Sequence, residues 1–309
     1  MIRVPLASGQ CEVGTRIAVA TRTKPVANVK QHTAITNKGY APMSAVDRAF
    51  ETLRSQNKKA LVPFVTAGDP SLEITAAALT ELGKRGAAVC EVGIPYSDPI
   101  ADGPVIQASY TRALGKKIKL KSILETIGSV TPTLPCPVVT MISYAIIHRH
   151  GPEKFLEMAQ AAGVSGAIVP DLLVEESEAF AKLCKERDFS LIQLVTPTTS
   201  KERAKKILET STGFIYYVSV AGITGERTEL PPDIVDNVKW LKSQTDLPIC
   251  IGFGINKPEH VHMLKEACDG VIVGSAIVRR LCEAETKPQE QVIQDVGEYA
   301  DSLLDALNG

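Results

Sequence analysis

A chain of 309 residues, 44% hydrophobic and 22% charged, has the composition of an ordinary globular protein, and it is long enough for a barrel-type domain of about 250 residues with an extension. The net charge of -1 offers no basic field, which argues against nucleic acid or an anionic membrane surface as a partner. No apolar run of the length a bilayer demands is free of charges or of Gly and Pro, and nothing reads as a membrane span.

Seven cysteines (Cys11, Cys90, Cys136, Cys184, Cys250, Cys268 and Cys282) are odd in number, scattered, and mostly set in apolar runs. They read as reduced, packed thiols, and without a C-x-x-C pair a structural zinc site has little support.

Residues 1–42 differ from the rest. They carry Arg3, Arg16, Arg22, Lys24, Lys30 and Lys38 against the single acid Glu12, with scattered Ser and Thr. An acid-poor, basic, hydroxylated leader has the character of an organelle transit peptide. A disordered tail without an address is the alternative, and composition does not separate the two.

Ser44-Ala-Val-Asp47 opens a capped amphipathic helix that runs to about Gln56, with Phe50 and Leu53 on one side. A rhythm then begins. Strand-like runs at Ala60–Ala67, Ala88–Ile94, Pro137–Tyr144, Gly166–Asp171, Leu191–Thr196, Gly213–Val220, Pro248–Phe253 and Gly270–Val273 alternate with helix-period segments. The helical segments include Leu72–Arg85, Pro152–Ala162, Glu175–Arg187, Lys201–Thr210, Asp233–Ser243 and Pro258–Ala267, with a last helix from Pro288 to Leu307. Eight near-continuous apolar strands separated by helices imply a parallel sheet covered on both faces. That number in one domain over residues 43–309 fits a closed (β/α)8 barrel, an α/β fold, better than an open sheet.

Chemistry in such a barrel belongs at the C-terminal ends of the strands. Glu91 sits there, flanked by Val89, Cys90, Val92 and Ile94, where an unpaired buried charge is costly; its carboxyl must find a partner or hold a raised pKa. Seven and eleven residues on, in a turn-rich loop, lie Asp98 and Asp102. Asp-Gly and Asp-Pro are both ordinary turn pairs, and residue chemistry leaves these two acids as equal candidates for the second carboxylate of an acid–base pair. Gly252-Phe253-Gly254 closes the seventh strand and Gly274-Ser275 the eighth, where barrels bind phosphate through backbone N–H groups and a helix N-terminus. Gly222 and Gly225, after the sixth strand, would add a lid. Any one of these glycines is an ordinary chain turn; their joint placement favours a phosphate ester.

Two stretches, Pro63-Phe64-Val65-Thr66-Ala67-Gly68-Asp69-Pro70 and Glu91-Val92-Gly93-Ile94-Pro95-Tyr96-Ser97-Asp98-Pro99-Ile100-Ala101-Asp102-Gly103-Pro104-Val105-Ile106-Gln107, resemble the signatures of the tryptophan synthase alpha subunit family. Val169-Pro170-Asp171-Leu172, Gly222-Ile223-Thr224-Gly225, Gly252-Phe253-Gly254-Ile255 and Val273-Gly274-Ser275-Ala276 match in order and spacing, and the resemblance covers about Val46 to the end. It implies a carbon–carbon lyase that cleaves indole-3-glycerol phosphate by a retro-aldol step into indole and glyceraldehyde 3-phosphate, with no cofactor and no metal.

By resemblance Glu91 is the acid/base that protonates indole C3. Asp102 takes or stabilises the indole N–H proton, which breaks the tie with Asp98. Phe64 and Tyr216, with Ile277 or its neighbours, would form the indole pocket. Thr224 would be the lid residue that bonds the catalytic Asp, and Gly225, Gly254, Gly274 and Ser275 a largely main-chain phosphate clamp that requires no Lys or Arg. The resemblance also implies a tryptophan synthase beta subunit as partner in a heterotetramer, and a plastid address for the leader; a mere tail would leave the protein in the cytoplasm.

One departure stands out. Where the family usually reads Tyr-Asn or Tyr-Ala-Asn after the third strand, this chain has Ile142-Ser143-Tyr144-Ala145-Ile146-Ile147-His148, with Ala145 in place of the asparagine. That loop lies near the family's beta-subunit contact, so a free-standing lyase releasing indole for defence metabolism is the runner-up. A catalytically silent barrel that only activates a partner need not keep Glu91, Asp102, Thr224 and the glycines together. An isomerase or epimerase barrel would set other acids, lysines or metal ligands at its strand ends.

The remaining polar features read as structural. His148-Arg149-His150 is expected to be a solvated basic loop and Lys116–Lys121 a solvated connector. His260 and His262, two apart on a helix, face different ways. Trp240, with Val238 and Leu241, is expected on the inward face of its helix.

Overall fold

In a computed structural model, residues 43–100, 102–219, 232–252 and 254–309 are described. The strands are β1 (Ala60–Thr66), β2 (Cys90–Gly93), β3 (Val138–Met141), β4 (Val164–Ile168), β5 (Ser190–Val195), β6 (Ile215–Val218), β7 (Ile249–Gly252) and β8 (Gly270–Val273). All pair in parallel in chain order, and β8 returns to β1 through Ala60↔Gly270 to Pro63↔Val273, closing the barrel.

The helices are α1 (Ala45–Ser55), α2 (Leu72–Lys84), α3 (Pro104–Gly115), α4 (Leu120–Val130), α5 (Tyr144–His150), α6 (Pro152–Ala161), α7 (Glu178–Glu186), α8 (Lys201–Thr210), α9 (Pro232–Lys242), α10 (Pro258–Leu264), α11 (Ser275–Cys282) and α12 (Gln289–Asn308). The expected (β/α)8 barrel, with a helix before its first strand, is the fold observed.

Two apolar layers follow from the two faces of each strand. Outward residues such as Leu61, Val65, Val92 and Val271 meet the ring of helices. Inward residues such as Val62, Phe64, Val139, Ile192 and Ile272 fill the barrel. Helix α1 plugs the barrel's N-terminal end: Val46 and Phe50 join the inner cluster, and the Phe50 ring lies 5.4 Å from Phe214. Its start is fixed by the expected capping box between Ser44 and Asp47. The Ser44 hydroxyl also bonds the Ser190 hydroxyl at 2.8 Å, tying the cap to β5.

Several local readings need correction. Helices α3, α4 and α5 lie outside the expected helical segments, whereas α11 is the helix expected to start at Gly274-Ser275. In α3 the buried positions Ile106, Ser109, Tyr110 and Ala113 do recur at helical spacing, but two are polar, which hides the apolar period. Pro104 at its first turn is the readable signal.

Strand β3 ends at Met141 rather than Tyr144, because Ser143 caps α5 and Asp171 accepts bonds from Ser143 Oγ and Tyr144 N, both at 2.7 Å. His148-Arg149-His150 is therefore the last turn of a helix rather than a loop. Lys116–Lys119 is the expected connector, but Leu120 already begins α4. On α10, His260 is buried and His262 exposed, as the spacing requires. On α9, Val238 and Leu241 are buried while Trp240 is only partly so, with Lys201 Nζ 5.4 Å from its ring. The six described cysteines are all free thiols, four of them buried.

Candidate active site

Glu91 is fully buried on β2, in register with Phe64 of β1 on one side and Val139 of β3 on the other. Neither carboxyl oxygen has a hydrogen-bond partner. Burial without a partner disfavours the anion, and the nearby Asp102 adds a like charge; together they raise its pKa to about 8.

Asp102 stands in the loop between β2 and α3. Its N–H donates to Pro99 O at 3.0 Å, and its own carbonyl accepts from Gln107 Nε2 at 2.8 Å, so the first turns of α3 hold the loop in place. The Oδ2 atom is buried without a partner, and desolvation lifts the carboxyl to about 6. Asp102 releases its proton first, while Glu91 is still neutral, and the anion left behind then opposes ionisation of Glu91. Near pH 7 the pair therefore holds one acid and one base. Although raised, Asp102 remains ionised at neutral pH. Asp98 is exposed and accepts from its neighbour Ser97 Oγ, outside the cavity; the structure separates the two candidates that residue chemistry left tied.

Both carboxyls line a cavity of about 260 Å³ at the C-terminal ends of the strands. Phe64, Tyr216, Ile106, Met141 and Ile272 form its apolar walls. Glycine makes room for the two rings. A Cβ on Gly93 would come within 2.7 Å of both the Phe64 ring and the Tyr110 hydroxyl, and one on Gly252 within 2.6 Å of the Tyr216 ring. Of Ile277 and its neighbours, the expected contributors to the indole pocket, Ala276 lines the cavity and Ile277 lies in the layer behind the barrel, because on a helix only one side can face the cavity.

Main chain contributes to the same cavity. Gly254, with φ of +82°, Gly274 and Ser275 line it, and Gly274 and Ser275 begin α11, whose first turn no side chain caps. Such a helix start presents N–H groups and a partial positive charge to whatever occupies the cavity. Arg279 lines it as well, a residue the sequence reading passed over; its signal is the spacing of four from Ser275. Gln107 was likewise passed over as the pin of the Asp102 loop. Thr224 and Gly225 lie outside the described residues, as does the lid they would form.

Among the described residues no group of three or more His, Cys, Asp or Glu is placed to hold a metal ion. None of their helices is long and apolar enough to cross a membrane. A parallel barrel whose strand ends bury an acid of pKa about 8 beside a base of about 6, in an apolar cavity, defines an acid–base enzyme of the (β/α)8 kind.

The comparisons with known proteins narrow this. The family model for the tryptophan synthase alpha chain matches residues 50–308. A tryptophan synthase alpha chain of Rhodopirellula baltica is 52% identical over 276 residues, 86% of this chain and 99% of its own. One of Arabidopsis thaliana is 43% identical over 269 residues, 86% of this chain and 97% of its own. The crystal structure of tryptophan synthase subunit alpha from Legionella pneumophila superposes with a TM-score of 0.78 at 35% identity, covering 86% of this chain and 99% of its own. The chain belongs to the tryptophan synthase alpha chain family and is a carbon–carbon lyase of that type, in a family whose members work with a beta subunit.

Proposed function

We propose that this barrel cleaves indole-3-glycerol phosphate to indole and glyceraldehyde 3-phosphate in tryptophan biosynthesis, with Glu91 and Asp102 as its acid–base pair. One observation carries the assignment: both oxygens of Glu91 are buried and unpartnered at the base of an apolar cavity that also holds Asp102. A carboxyl left without any structural partner is costly to the fold and is free for substrate.

Glu91, protonated at neutral pH, gives its proton to indole C3. The ring nitrogen becomes cationic, and the Asp102 carboxylate accepts its N–H proton or holds it by a charge-assisted hydrogen bond. The electron pair of the C–C bond then returns to the ring as the side-chain hydroxyl loses its proton to the Glu91 carboxylate, which restores the acid and leaves an aldehyde. Phe64 and Tyr216 sandwich the indole. Gly254, Gly274 and Ser275 hold the phosphate through main-chain N–H groups, with Gly225 and the lid residue Thr224 completing the enclosure.

Indole leaves to a beta subunit in a heterotetramer. The alpha-chain relatives favour this over a free-standing lyase, even with Ala145 exposed at the first turn of α5. The basic, acid-poor residues 1–42 act as a plastid transit peptide ahead of the 43–309 barrel. Indole release by the purified chain, with and without an added beta subunit, tests the reading. Substantial acceleration by the beta subunit supports it; equal rates select the free-standing lyase, and no release in either overturns the activity.

A further inference from the structure

The phosphate site proposed above is main chain, yet one charged side chain reaches the same cavity. Arg279 follows Ser275 by four residues on α11, and both line the space that holds Glu91 and Asp102. Residues four apart share a helix face, and a helical side chain leans back over the turn N-terminal to it. The stem of Arg279 therefore runs toward the open start of its own helix.

Its neighbours are already engaged. Arg280 donates to Ala276 O at 2.9 Å and lies 3.6 Å over the Tyr299 ring, and Arg112 grips both oxygens of Asp69 at 2.8 and 2.7 Å. Arg279 is exposed and, among the described residues, has neither a hydrogen-bond acceptor nor an ion-pair partner. It also borders a second cavity of about 330 Å³, shared with Val105, Ala108, Cys282 and the already engaged Arg112.

Charge balance gives this free cation a task. The described side chains that line the active-site cavity include one anion near pH 7, Asp102, beside the neutral Glu91, and a single cation, Arg279. A phosphate monoester adds about -1.5 to -2 near pH 7. A helix N-terminus offers roughly half a positive charge, too little to offset that alone.

We propose that Arg279 is a phosphate-binding residue of this site, its guanidinium paired with the ester oxygens beside the Ser275 end of α11. The inference rests on the lyase reading for the identity of the ester; the need for a cation at that end of the cavity holds for any phosphate monoester.

The test compares wild type with Arg279→Gln, Arg279→Lys and, as a control that removes the same charge, Arg149→Gln; Arg149 rims a different groove, beside Ile146 and Met158. Arg279→Gln should raise KM for indole-3-glycerol phosphate about tenfold and leave kcat within about twofold, the pattern of binding lost equally from ground and transition states. Arg279→Lys should recover most of the loss, and Arg149→Gln should behave as wild type. Calorimetry with glycerol 3-phosphate should show the same weakening in Arg279→Gln, whereas turnover of indoleglycerol lacking the phosphate should not change. An unchanged KM and glycerol 3-phosphate affinity, or an equal loss with the phosphate-free substrate, would overturn the proposal. Wild type that binds glycerol 3-phosphate through Arg279 but cleaves nothing would leave the proposal standing and remove the lyase reading.

Discussion

Phe64 and Glu91 are register partners across the β1–β2 ladder, so an aromatic ring and a carboxyl with no hydrogen-bond partner enter the barrel side by side. The pairing places the acid against the wall that would hold a flat apolar substrate. It also removes the water that would otherwise let the acid ionise.

That environment sets the pH profile. The reaction needs Glu91 protonated and Asp102 ionised, so kcat/KM should be bell-shaped, with limbs near pH 6 and pH 8 and a maximum close to 7. Glu91→Gln and Asp102→Asn should each lower kcat by at least about a thousandfold while the circular dichroism of the fold is kept. Residual activity in Asp102→Asn should lack the acid limb. Appreciable turnover in either variant would remove the role assigned to that residue.

The same carboxyl makes stability depend on pH. Glu91 ionises near 4.5 in the unfolded chain and near 8 in the barrel, so between these values the folded state keeps a proton that the unfolded state has lost, and stability falls as pH rises. Relative to Glu91→Gln, wild type should lose on the order of 4 kcal/mol between pH 5 and pH 8, measured by urea unfolding at each pH. Parallel curves for the two proteins would mean that Glu91 is not held neutral.

Cavity shape can be tested at Gly93. Its missing Cβ accommodates the Phe64 ring and the Tyr110 hydroxyl, so Gly93→Ala should push both aside. We expect a loss of about 1–3 kcal/mol in stability and a rise in KM for the indole substrate that glycerol 3-phosphate affinity does not share. Calorimetry and steady-state kinetics on the same preparation separate the two ends of the cavity.

Two further positions hold the frame without touching the cavity. Asp69 is 2% exposed and grips the partly exposed Arg112 of α3 through both oxygens, so Asp69→Ala should cost about 1–3 kcal/mol and loosen the helix that follows Asp102. Ser44→Ala removes the cap of α1 and the bond to Ser190, and should cost about 1–2 kcal/mol with kcat unchanged. Melting temperatures and indole release distinguish these outcomes.

The strand rhythm is legible because the buried strands are largely apolar on both faces, with isolated polar positions such as Glu91, Ser190 and Gln193. Parallel strands covered by helices leave no other pattern. The capping box at Ser44 was legible for a different reason, since it is satisfied within four consecutive residues. Helix α3 escaped because Ser109 and Tyr110 are buried polar residues that break the apolar period, and Ser109 is satisfied only by Thr66 from β1 and Ile106 O from its own helix. The helix that ends in His148-Arg149-His150 is harder to read, because its local cap, Ser143, is braced by Asp171, 27 residues away from Tyr144.

By itself the sequence determined the closed barrel, the strand end that carries Glu91, and the glycines at the ends of β7 and β8, because these depend on periodicity and local backbone freedom. Recognition of ordered motifs added the choice of Asp102 over Asp98. Tertiary structure alone decided that Asp98 points away, that Ala276 rather than Ile277 faces the cavity, and that Arg279 stands at its rim without a partner. It also decided that the two carboxyls differ by about two pH units, Glu91 near 8 and Asp102 near 6. The reason is physical: a pKa and a free charge are properties of what surrounds a group, and here those surroundings come from strands and helices distant in the chain.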